Sequence, residues 1–398
     1  MSEWQEATLG EIAEVQTGPF GSQLKNEQYV VGGTPVVTVE HISNFRIKDF
    51  DYPSVTIEDK NRLSRYLLKE GDIIFTRVGS VDLSAYVQSH QNDWMFSSRM
   101  LRVRPDKRVD SRFLSYYFQQ KSFRDYILNI SVGATMPSIN TGILKGIRVA
   151  YPDKAEQKAI ASVLSSLDDK IDLLHRQNTT LERMSKTLFR QWFVEEVQED
   201  WEQGTLESLI ETANTGLDAI QRAPIVDYET GIKCLRIQDI TQNKKYGNWG
   251  NSKVLDKDFE KARLKKDDLI MARTCSPGVI YLAREDMSAV FNNGLARIRP
   301  NKNKTYSIFL FYLFKTEDFI GHIYGISGGT SVQLNMKLGD LLSYKVAFPF
   351  KETQDKYYPY FESLDNKIFK NQQQIQILEK LRDNLLPKLM SGEVRINN

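Results

Sequence analysis

The sequence predicts a mixed α/β (α+β) protein in which two homologous globular domains are separated by two long helices packed as an antiparallel coiled coil. Three observations lead there. The chain repeats itself at about half its length, each repeat opens with short β-like runs broken by turns, and each closes with an uninterrupted helical seam. At 398 residues the chain has room for two or three domains, each with its own core.

The repeat is explicit. Trp4-x-x-x-Thr8-Leu9 recurs as Trp201-x-x-x-Thr205-Leu206, an offset of 197 (201 minus 4). Phe96 with Arg102-Val103-Arg104-Pro105 returns as Phe291 with Arg297-Ile298-Arg299-Pro300. Leu68-Lys69-Glu70-Gly71-Asp72-Ile73-Ile74 matches Leu264-Lys265-Lys266-Asp267-Asp268-Leu269-Ile270, and Val149-Ala150-Tyr151-Pro152 matches Val346-Ala347-Phe348-Pro349. Ser166-Leu167-Asp168-Asp169-Lys170-Ile171 returns as Ser363-Leu364-Asp365-Asn366-Lys367-Ile368. A period this long does not fit a solenoid and implies two domains on one plan.

Each repeat divides at its proline. Residues 1–153 and 198–350 carry β-like runs (Thr34 to Val39, Gly71 to Thr76, Met100 to Val103) between Gly, Pro, Asn and Ser turns. A helical stretch from Ser111 to Asn129 intervenes, with Phe113, Tyr116, Tyr117, Phe123 and Ile127 at helical spacing. Residues 154–197 and 351–398 are the helices. In the first, Ile160, Leu164, Leu167, Ile171, Leu174, Asn178, Leu181, Ser185, Leu188 and Trp192 alternate at spacings of four and three, a coiled-coil period. Tyr357, Phe361, Leu364, Ile368, Asn371, Ile375, Leu378, Arg382, Leu385 and Leu389 occupy the same phases in the second. Asn178 and Asn371 either fix register or mark a solvated notch. A helix of this length is a rod of roughly 58 Å that cannot bury its seam alone. Packing one helix antiparallel on the other solves this and implies a dumbbell with pseudo-twofold symmetry.

Composition narrows the function. With 41% hydrophobic and 26% charged residues the chain is globular, and 53 Lys plus Arg against 51 Asp plus Glu exclude a globally basic nucleic-acid binder. Cys234 and Cys275 form neither a metal-ligand spacing nor a disulfide framework, which suits a reducing compartment, the cytoplasm by default. The acidic N-terminus and the lack of long apolar runs predict no signal peptide and no membrane span. Catalytic signatures are missing too. The chain has no Gly-x-x-x-x-Gly-Lys-Ser/Thr loop, no Gly-x-Gly-x-x-Gly and no Asn/Asp-Pro-Pro-Tyr/Phe methyltransferase tetrapeptide, so no nucleotide cofactor and no methyl transfer of its own are expected. His41, His90, His175 and His322 are scattered, and Asp51 with Glu58-x-Lys60 is a spacing that arises by chance in a chain this charged. No metal site is expected.

Local basic windows point to nucleic acid. Arg99, Arg102, Arg104, Lys107, Arg108 and Arg112 face only Asp106 and Asp110 nearby, and Arg297, Arg299, Lys302 and Lys304 have no acid between them. A solvated strand edge with alternating arginines is the competing account. Sequence reading needs paired donors and acceptors on loops beside such cations. In the first domain Arg77, Ser80, Ser98, Arg99 and Arg102 meet that need, with Thr135, Ser138 and Asn140 in the stretch Gly133-Ala134-Thr135-Met136-Pro137-Ser138-Ile139-Asn140. In the second the matching positions hold Arg273, Thr274, Ser276, Asn292 and Asn293, then Thr330, Ser331 and Asn335. The frameworks match while the polar side chains differ, as two readers of two different sequences would require.

These features together resemble the specificity subunit of type I restriction-modification systems. The resemblance rests on the Trp-x-x-x-Thr-Leu openings, the Leu-x-x-Gly/Asp-Asp-Ile/Leu-Ile runs followed by Arg77 or Arg273, the Gly133 to Asn140 stretch, and Val-Ala-Tyr-Pro followed by Glu156-Gln157-Lys158-Ala159-Ile160-Ala161-Ser162-Val163-Leu164. It covers residues 1–398. It implies two target-recognition domains (1–153 and 198–350), a central helix (154–197) and a C-terminal helix (351–398), in a DNA-recognition subunit without catalysis. Each domain would read one half of a split, asymmetric target in double-stranded DNA, with the helices setting the spacer. The helices would also dock two adenine methyltransferase subunits carrying S-adenosylmethionine, joined by restriction/translocase subunits carrying ATP and Mg. The second helix departs from the pattern at Glu352-Thr353-Gln354, where a Thr separates Glu from Gln. Two other readings stay open: a specificity partner for a fused restriction-methyltransferase enzyme, and a coiled-coil scaffold that binds no DNA.

Overall fold

A computed structural model of the chain describes residues 4–48, 50–133, 135–327 and 335–396. The fold is mixed α/β, and the chain forms two compact units. One comprises residues 1–173 with 375–398, the other residues 174–374. Each unit thus combines a globular head with part of both long helices, Lys154–Arg190 and Lys351–Met390.

In the first unit the head is built on an antiparallel four-stranded sheet. Its strands are β1 (Ala13–Thr17), β2 (Ile73–Thr76), β3 (Ser84–Tyr86) and β4 (Met100–Pro105), in the order β1-β4-β2-β3. β1 ends and β4 begins on the same edge, because Leu101 lies opposite Thr17, and β2 ends there too, with Met100 opposite Thr76. Every residue of β2 is buried. Ile73 and Phe75 face the larger core, while Ile74 faces a second core with Val36, Val37 and Phe96. That alternation is the period-two rule of a strand buried on both sides. Gln5–Thr8 pairs with Arg148–Tyr151, which brings the start and end of the head together beside the long helix.

The stretch read as one helix, Ser111 to Asn129, is two. Ser111–Gln119 and Lys121–Ile130 are separated by Gln120, whose backbone is extended (φ −57, ψ 137). The break lets Phe118 and Phe123, one from each helix, both reach Phe75, at ring separations of 4.9 and 6.4 Å. Helical spacing runs through the turn because both helices bury aromatic faces in one core.

The second unit repeats the plan. β5 (Ile210–Thr215), β6 (Leu269–Ala272), β7 (Ile280–Leu282) and β8 (Leu295–Pro300) form a sheet in the order β5-β8-β6-β7. Glu202–Thr205 pairs with Lys345–Phe348 as the earlier edge ladder does. A further sheet, from Ile225–Val226, Lys233–Leu235, Gly250–Ser252 and Ala289–Phe291, is more developed than its three-stranded counterpart in the first unit.

The helices pair antiparallel inside each unit. In the first, Ile160, Ala161 and Leu164 share a core with Leu386, Leu389 and Met390. In the second, Asn178 meets Asn371, Phe189 meets Phe361 and Trp192 meets Tyr357, so residue numbers rise on one helix as they fall on the other. Ile160, Leu164, Ile171, Leu174, Asn178, Phe361, Ile368, Asn371 and Ile375 are buried, and Leu167, Leu181, Leu188, Leu364, Leu378 and Leu385 are partly buried. Arg382, the charged seam residue, donates to Asp168 at 2.9 Å, and Asp168 also accepts from Tyr116 at 2.7 Å.

The seam asparagines are partners. Asn371 Nδ2 donates to Asn178 Oδ1 at 2.9 Å in a buried setting. Replacing Asn371 alone by Leu is expected to cost about 1–3 kcal/mol, since Asn178 Oδ1 is left without its donor. Replacing both by Leu is expected to be neutral or stabilising. Urea unfolding of the two single variants and the double variant checks this, and a double variant weaker than either single would refute it.

Each long helix starts on a matched device. Gln157 donates from Nε2 to Pro152 O (2.9 Å) and Arg108 O (3.2 Å) while its Oε1 accepts from Asp110 N (2.7 Å). Gln354 donates to Pro349 O (2.9 Å) and Lys304 O (2.7 Å) and accepts from Thr305 Oγ1 (3.1 Å). Thr353 therefore inserts nothing: Gln354 keeps its phase after the proline, and only the preceding Glu352 has moved. Both glutamines are buried and tie a helix to its own head.

Candidate nucleic-acid interface

At the edge where β1 and β2 finish and β4 begins, four backbone segments of the first head are tied together. Gly18 N donates to Met100 O (3.2 Å), Met100 N to Ser97 O (3.0 Å), Arg77 N to Arg99 O (2.8 Å) and Ile139 N to Arg77 O (3.0 Å). The same four bonds recur in the second head, as Gly216 N to Leu295 O (3.1 Å), Leu295 N to Asn292 O (3.0 Å), Arg273 N to Gly294 O (2.9 Å) and Met336 N to Arg273 O (2.9 Å). Two loop clusters thus share one scaffold.

The scaffold depends on a glycine in each head. A Cβ on Gly18 would lie 2.1 Å from Ser97 O, and one on Gly216 would lie 2.3 Å from Asn292 O. Any side chain would push the first segment off the third. These glycines were missed in the sequence, though the repeat carries the signal: Gly18 and Gly216 each follow the threonine that ends the first strand of the sheet.

In the first head the cluster gathers Arg77, Ser80, Ser98, Arg99 and Ser138. Gly79 N donates to Pro137 O (2.8 Å), and Val78 bridges Ser138. Ser80 and Arg99 are exposed. Thr135 is exposed on the same loop, and Ser138 Oγ donates to Val132 O at 3.0 Å. Asn140 has a structural task, since its Oδ1 accepts from Ile143 N (2.9 Å) and caps Thr141–Lys145.

In the second head Arg273, Thr274, Ser276, Asn292, Asn293 and Asn335 come together, with Thr274 bridging Asn335. Asn293 and Asn335 are exposed. Among the described residues Asn292 Oδ1 is buried without a hydrogen-bond partner, as is Ser97 Oγ at the matching place in the first head. Thr330 and Ser331 lie outside the described residues.

Arg102 does not belong to the site. It is 1% exposed in the middle of β4, where it donates to Glu14 (2.8 Å), Arg65 O (3.2 Å) and Leu67 O (3.3 Å). Burial, with Arg104 nearby, lowers the pKa of its guanidinium. It cannot reach a phosphate. Its counterpart Arg297 is 5% exposed and donates to Asn214, Lys261 O and Arg263 O.

Their neighbours are paired as well. Arg104 grips Asp72 through two bonds of 2.7 Å, and Arg299 grips Asp268 at 2.5 and 3.0 Å. Arg108 is held by Asp106. The basic window is therefore largely a set of internal ties between β4 or β8 and the turn that precedes β2 or β6. Charge counted along the sequence does not separate these ties from a phosphate-binding face, because the carboxylates that hold Arg104 and Arg299 lie about thirty residues upstream.

Among the described residues no group of three or more His, Cys, Asp or Glu side chains is placed to hold a metal ion, and no helix is long and apolar enough to cross a membrane. Cys234 is buried, which pushes its thiol pKa up to about 12. Cys275 is exposed in the second loop cluster, at φ +60.

Two heads on one scaffold, with different polar side chains on matched loops, define a recognition protein built by tandem repetition. The family described as the type I restriction modification DNA specificity domain matches the chain twice, over residues 1–183 and 198–380, and the chain belongs to that family. It is 26% identical to the type I restriction enzyme MjaIX specificity subunit of Methanocaldococcus jannaschii, over 99% of this chain and 94% of that protein. It is 23% identical to the MjaVIII specificity subunit of the same organism, over 100% and 94%. Its fold is like that of the S subunit of a type I restriction-modification system from M. genitalium, with a TM-score of 0.64 over 98% of this chain and 96% of that one, at 16% identity. The chain is thus a specificity subunit of the type I class, whose role is DNA sequence recognition.

Proposed function

We propose that the chain reads a bipartite, asymmetric target in double-stranded DNA, one half per head, and contributes no catalysis itself. The observation that carries this is the set of four matched backbone bonds at Gly18, Met100, Arg77 and Ile139 and at Gly216, Leu295, Arg273 and Met336. It holds the loops alike while the side chains on them differ. A shared scaffold with divergent donors and acceptors is what two half-sites of different sequence demand.

The long helices set the separation of the halves and dock two adenine methyltransferase subunits, which bring S-adenosylmethionine and extrude the target base. Restriction/translocase subunits bring ATP and Mg. The named relatives support this reading as members of type I enzymes.

The test expresses the chain with the methyltransferase encoded beside it in a methylation-free host and maps modified bases by single-molecule sequencing. A split motif with methyladenine in both halves, absent when this chain is omitted, is expected. Methylation that is indifferent to the chain would favour a scaffold that binds no DNA.

A further inference from the structure

The two loop clusters use their equivalent arginines differently. Arg273 turns its guanidinium inward: Nε donates to Met336 O at 3.1 Å and Nη1 to Asn293 O at 3.3 Å. Both carbonyls belong to the cluster, so this side chain braces the loops with two of its five N–H donors, one of them Nε on the inner edge of the fork. Arg77 is held otherwise. Its guanidinium lies over the ring of Phe20 at 5.7 Å, and Nη1 makes one long bond of 3.4 Å to Thr17 Oγ1. Among the described residues no carboxylate and no carbonyl engages its remaining donors. Phe20 is 50% exposed, so the pair stands at the surface.

Stacking on an aromatic ring and one anchoring hydroxyl orient a guanidinium without consuming its fork. Such a planar, pre-oriented pair of donors suits the two acceptors, O6 and N7, on the major-groove edge of guanine. Arg99 adds to the contrast. It is exposed on the strand start beside Arg77, and its place in the second head is taken by Gly294. An exposed arginine next to an oriented one divides the work between phosphate and base. The second head offers amides and hydroxyls at the same edge.

We infer that Arg77 is a specificity-determining residue that reads a guanine in the half-site of the first head, with Arg99 on the adjoining phosphate, while its equivalent Arg273 braces the loops of the second head. This rests on the chain being a bipartite DNA reader.

The experiment is the same methylation mapping, run with wild type, Arg77→Ala and Arg77→Gln in complex with the methyltransferase. Wild type is expected to require a G·C pair in one half. Arg77→Ala is expected to lose preference at that position by roughly 10- to 100-fold and to leave the consensus of the other half unchanged. Arg77→Gln is expected to shift the preference there toward A·T, because an amide pairs with adenine N6 and N7. Since the side chain makes one weak hydrogen bond, both variants should assemble, which co-purification with the methyltransferase checks. If both keep the wild-type consensus in each half, the inference is overturned while the bipartite reading stands. If wild type itself gives no split motif, the underlying reading fails and takes the inference with it.

Discussion

Replacing Asp268 by alanine is expected to destabilise the second unit by about 3–5 kcal/mol, the range for removing one partner of a buried ion pair. The carboxylate is 1% exposed and accepts from Arg299 Nε and Nη2 and from Lys265 N. Arg297 Nη1 lies 3.8 Å away. Without Asp268, the buried Arg297 guanidinium loses its nearest carboxylate, the half-buried Arg299 loses both of its bonds, and the turn before β6 loses its anchor. A change of this size exceeds the effect of any exposed charge in the molecule, where a pair contributes about 0–1 kcal/mol. Denaturant unfolding followed by tryptophan fluorescence measures it. A loss under about 1 kcal/mol would show that water reaches the pair. Substituting Asp72, which holds Arg104 and Lys69 N in the same way, tests whether the two heads share the device.

Phe361→Ala is expected to cost a further, separate 3–5 kcal/mol or so, as large aromatic truncations in close-packed cores do. Phe361 is fully buried. Its ring lies 6.2 Å from Phe189 on the partner helix and 5.3 and 5.6 Å from Phe309 and Tyr312 of the head. One side chain therefore joins helix to helix and helix pair to head. Phe361→Leu keeps most of the volume and should cost about half as much. Thermal unfolding of both variants checks the order, and an alanine variant as stable as the leucine one would mean the cavity collapses. In the methyltransferase complex the alanine variant should also lose methylation, since a loosened head no longer holds its loops at a defined place on the helix pair.

Much of the helical architecture was legible because its physics is local. A seam at spacings of four and three can be buried only against another seam, and the chain carries two of them. Asn178 and Asn371 stood at matching phases, yet whether they faced each other or water depended on how the helices slide, which no local pattern states. The candidate site was legible by position and misjudged by charge. Arg77, Ser80, Arg99, Arg273, Thr274 and Asn293 share edges of their sheets because they flank strand ends that the fold aligns. Arg102 looked the same as Arg99 in the sequence, three residues apart, but a strand inside a sheet sends it into the core beside Glu14.

The sequence by itself determined the tandem repeat, the long helix that follows Pro152 and Pro349, the two seams and the mixed α/β class, because repetition, periodicity and turn chemistry act within a few residues or by direct copying. The tertiary structure alone decided which cations are internal ties and which remain available, because an arginine's role is set by the carboxylate or carbonyl that folding brings to it. Asp72 reaches Arg104, and Asp268 reaches Arg299, only when the sheet forms. It also decided that Arg77 and Arg273, equivalent in the repeat, are not equivalent in use: two backbone carbonyls hold one, and an aromatic face holds the other.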